Sequence, residues 1–247
     1  LLASQLGSHA KGIEVDINNT KNLLSILFDY DIVLNTVGPF FKFGYQVLKT
    51  SLEANCHYMD ICDDWEPTEK MLELNDIAKE KNLLALLGLG ASPGITNLLG
   101  RIAIDHLDIA HTIYTGWNLE EAQPEPISSQ KETNAAMIHG IEQITGKVKV
   151  LKDGKFEMVN PLEELKVSYP NIGTYSAFIF GHPEAITFPY HFKDLLNSIN
   201  LAHGNKSTIF VLKIMRKLIN LKILTKKTAA QFLEWLEKKG TSRKYTE

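Results

Sequence analysis

Four short runs hold the residue types that could do chemistry. VGPFFKFG (residues 37–44) closes an apolar run with a Gly-Pro turn and two aromatics. HYMDI (residues 57–61) carries Asp60, with Asp63 and Asp64 close behind. GLGASPG (residues 88–94) is a turn punctuated by glycine and proline, and GHPE (residues 181–184) sets His182 beside Glu184. A flat apolar surface at a strand end can lie against a nicotinamide or its ribose. A carboxylate there can hold a hydroxyl, position an amine or act as a base. A His/Glu pair in a turn can reach a substrate cleft.

Each run also has a plainer reading. Phe40 and Phe41 could fill the core behind an ordinary strand-to-helix turn. Asp60, Asp63 and Asp64 lie just before Pro67, where a solvated helix N-terminus favours acids. GLGASPG follows a strand and opens a helix, as the phosphate loop of a short-chain-like reductase does. Its spacing is G-x-G-x-x-x-G, however, and Pro93 removes a backbone N–H that such loops use. It reads otherwise as a tight turn beside a nicotinamide. His182 and Glu184 could simply hold their own turn. Cys56, His57 and Cys62 have no matching second ligand pair, so no metal site is expected.

Strands and helices must alternate to put these turns together. Residues 31–37, 57–61 and 83–88 read as short apolar strands, with helices between them. That is the pattern of a doubly wound parallel sheet, in which ligands bind at the carboxyl ends of the strands. A helix over residues 95–106 and a strand over 112–117 extend it. Asn18, Asn19 and Thr20 are helix-capping residues ahead of LLSIL. Residues 120–130 are polar with two prolines and read as a junction. Beyond it, Asp153-Gly154 marks a hairpin over residues 147–159. NIGTYSAFIFGHPEAITFP offers two more strands split by GHPE. The expected divisions are a partial Rossmann domain over 1–118, an α+β substrate or dimerisation domain over 119–192, and a helical, basic tail over 193–247. The tail carries Thr225 as a cap between two helices.

Composition sets the class. Hydrophobic residues make up 44% and charged residues 22% of 247, ordinary for a soluble globular protein. No apolar run is long enough to span a bilayer, and two cysteines give no disulfide framework, so a cytoplasmic setting is expected. The net charge of −3 is uneven. Residues 206–247 hold 11 basic and 3 acidic residues, net +8, against 15 basic and 26 acidic before them, net −11. The tail is expected to dock on the body or a second subunit, with an anionic membrane surface as the less favoured partner. No nucleic-acid partner is expected.

DIVLNTVGPF, HYMDI with its acids, IAKEKNLLALLGLGASPGITNLLG and, more loosely, GHPEAITFP resemble the saccharopine dehydrogenase/reductase family, which includes carboxynorspermidine dehydrogenase. The resemblance runs over residues 13–101 and thins out to 192. It implies an NAD- or NADP-dependent oxidoreductase that forms or cleaves a secondary amine through an imine, often as a homodimer. Asp16 would lie near the adenine, Thr36, Val37, Gly38, Pro39 and Phe40 along the cofactor with Asp60, and Ser92, Pro93 and Gly94 at the nicotinamide. Substrate contacts would fall to Asn97, His182 and Glu184. Family members begin with a strand and a G-x-G-x-x-G loop. Here LLASQLGSHAKG reads as a helix end leading to a strand, GIEVDI, so the chain reads as an N-terminally truncated, inactive fragment. Saccharopine reductases carry an aspartate where Ser92 stands, which argues against saccharopine as the substrate. A scaffold keeping the fold without turnover is the alternative.

Overall fold

A computed structural model describes residues 2–119 and 135–244. The chain forms two compact units, Leu1–Gly94 and Ile95–Glu247.

The first unit begins with α1 (Leu2–Gln5), a 3-10 turn (Gly7–His9) and α2 (Thr20–Leu27). It continues through β1 (Ile32–Asn35), α3 (Phe40–Glu53), β2 (His57–Asp60), α4 (Trp65–Leu72), α5 (Asn75–Glu80) and β3 (Ala85–Leu86). The strands form a parallel sheet in the order β1-β2-β3, with Ile32 opposite His57 and Tyr58 opposite Ala85. This is the expected α/β alternation. Asn19 caps α2 by accepting the Asn22 N–H at 3.2 Å. Leu23, Phe40, Leu48, Leu52, Tyr58 and Met71 are among the residues of the buried core. The outer edge of β1 has no strand partner among the described residues, and Ile32 and Leu34 are 49% and 66% exposed.

Two local expectations change here. GIEVDI forms no strand: residues 11–16 have no regular structure. The Asp16 carboxylate accepts the Asn18 backbone N–H at 2.9 Å, and this local Asx turn competes with extended pairing. The single helix expected beyond Pro67 is divided into α4 and α5 near Leu74, which is buried with Met71 and Ala78.

The second unit comprises α6 (Ile95–Asp105), β4 (Thr112–Asn118), α7 (Ala135–Gln143), β5 (Val148–Lys152) and β6 (Lys155–Val159). There follow β7 (Glu164–Tyr169), β8 (Gly173–Ile179), α8 (Glu184–His191), β9 (Asn197–His203), α9 (Lys206–Asn220) and α10 (Lys226–Lys244). Its mixed sheet runs β6-β5-β9-β8-β7, and β4 pairs in parallel with β9. So α6 and β4 stand in this unit, although their pattern continues that of the first. The β5–β6 hairpin turns at Asp153 and Gly154 with φ of 47° and 75°, the signs that a tight primed turn requires. The polar junction at residues 120–130 lies outside the described residues.

Two further expectations are corrected. The second strand placed after GHPE is helix α8. Pro183 already has helical angles, φ −62° and ψ −28°, and Glu184 puts an acid in the first turn. Residues 197–203, placed in a helical tail, form β9, the strand to which β4, β5 and β8 all bond. NSINLAH is buried from Ser198 to Ala202, and burial on both faces hides the alternation that marks a half-exposed strand. The helical reading holds from Lys206, and Thr225 accepts the Thr228 N–H at 3.1 Å as a cap. Helices α9 and α10 bury Ile209, Leu212, Met215, Ala229 and Ala230 in this unit's core. No helix among the described residues is long and apolar enough to cross a membrane.

Candidate functional site

The carboxyl end of β1 is built around Asn35, which is buried. Its Nδ2 donates to the Tyr58 hydroxyl at 2.9 Å, and its Oδ1 accepts the Val37 N–H at 3.0 Å. These bonds stop the strand and turn residues 36–39 outward, where all four are exposed. A Cβ added at Gly38 would meet nothing within 4 Å, so the backbone here faces open space. A planar group could lie against such a surface. The two aromatics then separate. Phe40, first residue of α3, is 7% exposed and belongs to the core, whereas Phe41 is 53% exposed. Asp16 is also exposed, and its bonds from Asn18 hold its carboxyl below the usual range.

Asp60, at the end of β2, is wholly buried. Its Oδ1 accepts the Gly88 N–H at 2.7 Å and the Cys62 N–H at 3.0 Å, and its carbonyl accepts the Leu89 N–H at 2.7 Å. Burial pushes its carboxyl above the usual range, and hydrogen bonds from the Gly88 and Cys62 amides and the Tyr58 hydroxyl offset this in part. Burial, then the Asp60 charge, likewise raises the Tyr58 phenol. Burial also raises the Cys62 thiol. Asp60 therefore acts on the backbone of its own unit. Asp63 and Asp64 are half-buried, and Asp64 is the N-cap residue of α4.

The turn over residues 88–94 closes on itself. The Gly88 and Leu89 amides are taken by Asp60, and the Gly90 amide donates to the Pro93 carbonyl at 2.9 Å. Gly88 and Gly94 have φ of +69° and +122°. A Cβ at the first would strike the Pro93 ring, and one at the second the Gly90 backbone. The glycines serve close self-packing. The Gly88, Leu89 and Gly90 amides are occupied and Pro93 has none, which takes these donors from the phosphate-loop reading. Ser92 is half-buried and Pro93 buried beneath the turn.

In the second unit, two of the residues expected at the substrate, His182 and Glu184, meet, while Asn97 bonds to the same helix as Glu184. Thr96, in the first turn of α6, donates its hydroxyl to Glu184 Oε1 at 2.6 Å. The neighbouring Asn97 donates Nδ2 to Thr187 Oγ1 at 3.0 Å, and Thr187 lies on α8 with Glu184. His182 Nδ1 stands 3.0 Å from Glu184 Oε2. Glu184 is wholly buried and His182 nearly so. The Trp117 ring lies 4.8 Å from that of His182. Ser198 Oγ donates to the Glu184 carbonyl at 3.3 Å, and the Ala185 N–H donates to Asn200 Oδ1 at 2.8 Å. Sequence reasoning missed Thr96, Thr187 and Trp117. Thr96 could have been found beside Asn97, but nothing in the sequence links Trp117 to GHPE.

Residues 1–86 match the family model of the saccharopine dehydrogenase NADP binding domain. Carboxyaminopropylagmatine dehydrogenase of Synechocystis sp. is 25% identical over 194 residues, covering 74% of this chain and 47% of that protein. The structure of saccharopine dehydrogenase (L-Glu forming) from Saccharomyces cerevisiae is similar in fold, with a TM-score of 0.54 at 17% identity. That match covers 87% of this chain and 48% of the yeast chain. The chain thus spans about half the length of these two proteins. The matched domain makes NAD(P) the cofactor class of the first unit. By these matches residues 1–86 resemble the saccharopine dehydrogenase NADP binding domain, and the chain as a whole is similar in fold to saccharopine dehydrogenase.

Proposed function

We propose that the full-length protein is an NAD(P)-dependent oxidoreductase that makes or breaks a secondary amine through an imine, on an amino-acid or polyamine-like substrate. The observation that carries this reading is the open turn at residues 36–39, which ends a parallel strand inside the matched NADP-binding domain. Thr36, Val37, Gly38 and Pro39 hold the nicotinamide half, with Phe41 rather than Phe40 as the aromatic offered outward. Asp16 lies toward the adenine, and Ser92, Pro93 and Gly94 border the nicotinamide. Asp60 supports that site through the turn rather than as a ligand. The bound cofactor supplies the hydride, while the protein binds and orients the reactants.

Asn97, His182 and Glu184 serve the substrate. The name of the Synechocystis relative favours a carboxylated, polyamine-like amine. The test is NADPH consumption by the full-length protein with pairs of amine and carbonyl acid, polyamines included. Consumption with one such pair supports the reading. Cofactor binding without turnover on any pair moves the protein to a scaffold role. A homodimer in the cytoplasm, acting in amino-acid metabolism, completes the proposal, and light scattering on the purified protein tests the dimer.

A further inference from the structure

We propose that Tyr58 is a positioning residue for the nicotinamide half of the cofactor, because its hydroxyl joins the turn after β1 to the turn after β3. This rests on the cofactor reading above and names the device that sets the shape of that site.

Strand register brings the parts together. In the parallel pair of β1 and β2, Asn35 stands opposite Asp60 and Val33 opposite Tyr58. Side chains alternate along a strand, so Asn35, Tyr58 and Asp60 share one face of the sheet. All three are buried, Tyr58 and Asp60 wholly so. The Tyr58 ring belongs to the apolar core, where a polar tip is kept only if it is bonded. Phe would fill the same space, so the hydroxyl supplies connection rather than packing.

The bonds run in one direction. The Val37 N–H can only donate, so the Asn35 atom that meets it at 3.0 Å is Oδ1. That turns Nδ2 toward the Tyr58 oxygen, which accepts at 2.9 Å. The Tyr58 proton is left for the Asp60 carboxylate. Asp60 in turn holds the Gly88 N–H at 2.7 Å and the Cys62 N–H at 3.0 Å. One buried chain of donors and acceptors therefore reaches from the Val37 amide, across the end of β2, to the Gly88 amide.

Its two ends lie in the two turns assigned to the nicotinamide, residues 36–39 and residues 88–94. A buried polar chain in which every member is satisfied has a single arrangement, and it fixes the backbone at both ends. Hydride transfer needs that fixity, since a reacting ring displaced by about 1 Å can cost on the order of a hundredfold in rate.

The test uses the full-length protein with NADPH or NADH, whichever it binds. The second probe is the adenine half of that cofactor alone, adenosine bisphosphate or AMP. Tyr58→Phe should raise the Kd of the whole cofactor by about tenfold. The Kd of the adenine half should stay within about twofold, because that end is distant from the hydroxyl. Equal weakening of both probes would mark a general loosening of the domain, and an unchanged Kd for the whole cofactor would leave the hydroxyl idle. Either result overturns the proposal while the cofactor reading stands. A wild type that binds neither NADPH nor NADH removes that reading, and this role with it.

Amide hydrogen exchange reads the connection without any cofactor. Asp60→Asn keeps an acceptor for Gly88 but sets an amide nitrogen against the Tyr58 hydroxyl, which already accepts from Asn35. Exchange at the Val37 amide, on the neighbouring strand end, should then quicken by about fivefold or more. Unaltered Val37 exchange in a folded Asp60→Asn chain overturns the proposal, and this measurement decides even where Tyr58→Phe fails to fold.

Discussion

The Asp60 carboxylate and the Gly88 amide meet at 2.7 Å, so the end of β2 and the turn after β3 are fastened as one piece. Replacing Asp60 with Ala leaves the buried Gly88 and Cys62 amides without acceptors and should cost on the order of 3 kcal/mol. Asp60→Asn keeps an acceptor oxygen and should cost less. Urea unfolding of both variants checks the order.

The same residue gives a pH signature. Burial raises Asp60 above its usual 3.8, so the folded chain keeps this proton to higher pH than the unfolded chain does. Its contribution is full below the unfolded value and is lost as pH rises through the folded one. The stability of wild type relative to Asp60→Asn should therefore fall as pH rises through the range above the usual carboxylate value. Urea midpoints measured across that range decide it, and a difference that grows with pH contradicts the burial account.

Phe40 and Phe41 are neighbours with opposite exposures. Phe40→Ala should cost about 3–5 kcal/mol through an unfilled core site. Phe41→Ala should change stability by less than about 0.5 kcal/mol. In the full-length protein it should weaken NADPH binding on the order of tenfold, or about 1.4 kcal/mol. Thermal melts and fluorescence titration separate the two, and equal stability losses would mean that the faces are misassigned.

Gly94→Ala places a methyl against the Gly90 backbone at φ +122°. The loss should be about 3 kcal/mol or more, because strain and overlap act together. Gly38→Ala, in open space, should be nearly neutral for folding. A calorimetric scan of both variants gives the comparison, and a well-tolerated Gly94→Ala would show that the turn can open.

Deletion of residues 206–247 removes Ile209, Leu212 and Met215 from the second core. The expected outcome is an unfolded or aggregating second unit, beyond a mere change in solubility or association. Circular dichroism of the truncated chain tests this, and a native-like spectrum with a cooperative melt would argue for a dispensable tail.

Much of the first unit was legible because its signals are local. β1, β2 and β3 are short apolar runs ended by Asn35, Asp60 and Gly88, and caps such as Asn19 lie beside the helices they start. The hairpin at Asp153-Gly154 is equally local. What escaped depends on distant partners. GIEVDI has the strand pattern, but Asp16 bonds to Asn18 instead. β9 looks featureless because both of its faces are covered, and α8 begins within GHPE, which reads as a divider between two strands. In the candidate site, Asn97, His182 and Glu184 were readable as polar residues in turn motifs. Their meeting was not, since Thr96 and Glu184 are far apart in sequence and joined only by the packing of α6 with α8.

The outer edge of β1, with Ile32 and Leu34 exposed beside it, is a row of backbone donors and acceptors on an apolar strand. Such an edge can recruit any extended segment in register, including its counterpart on another molecule. Purified at high concentration, this chain should drift toward sheet-linked oligomers whose growth accelerates with time. A lysine in place of Leu34 should slow that growth in a thioflavin assay while leaving the circular dichroism spectrum unchanged.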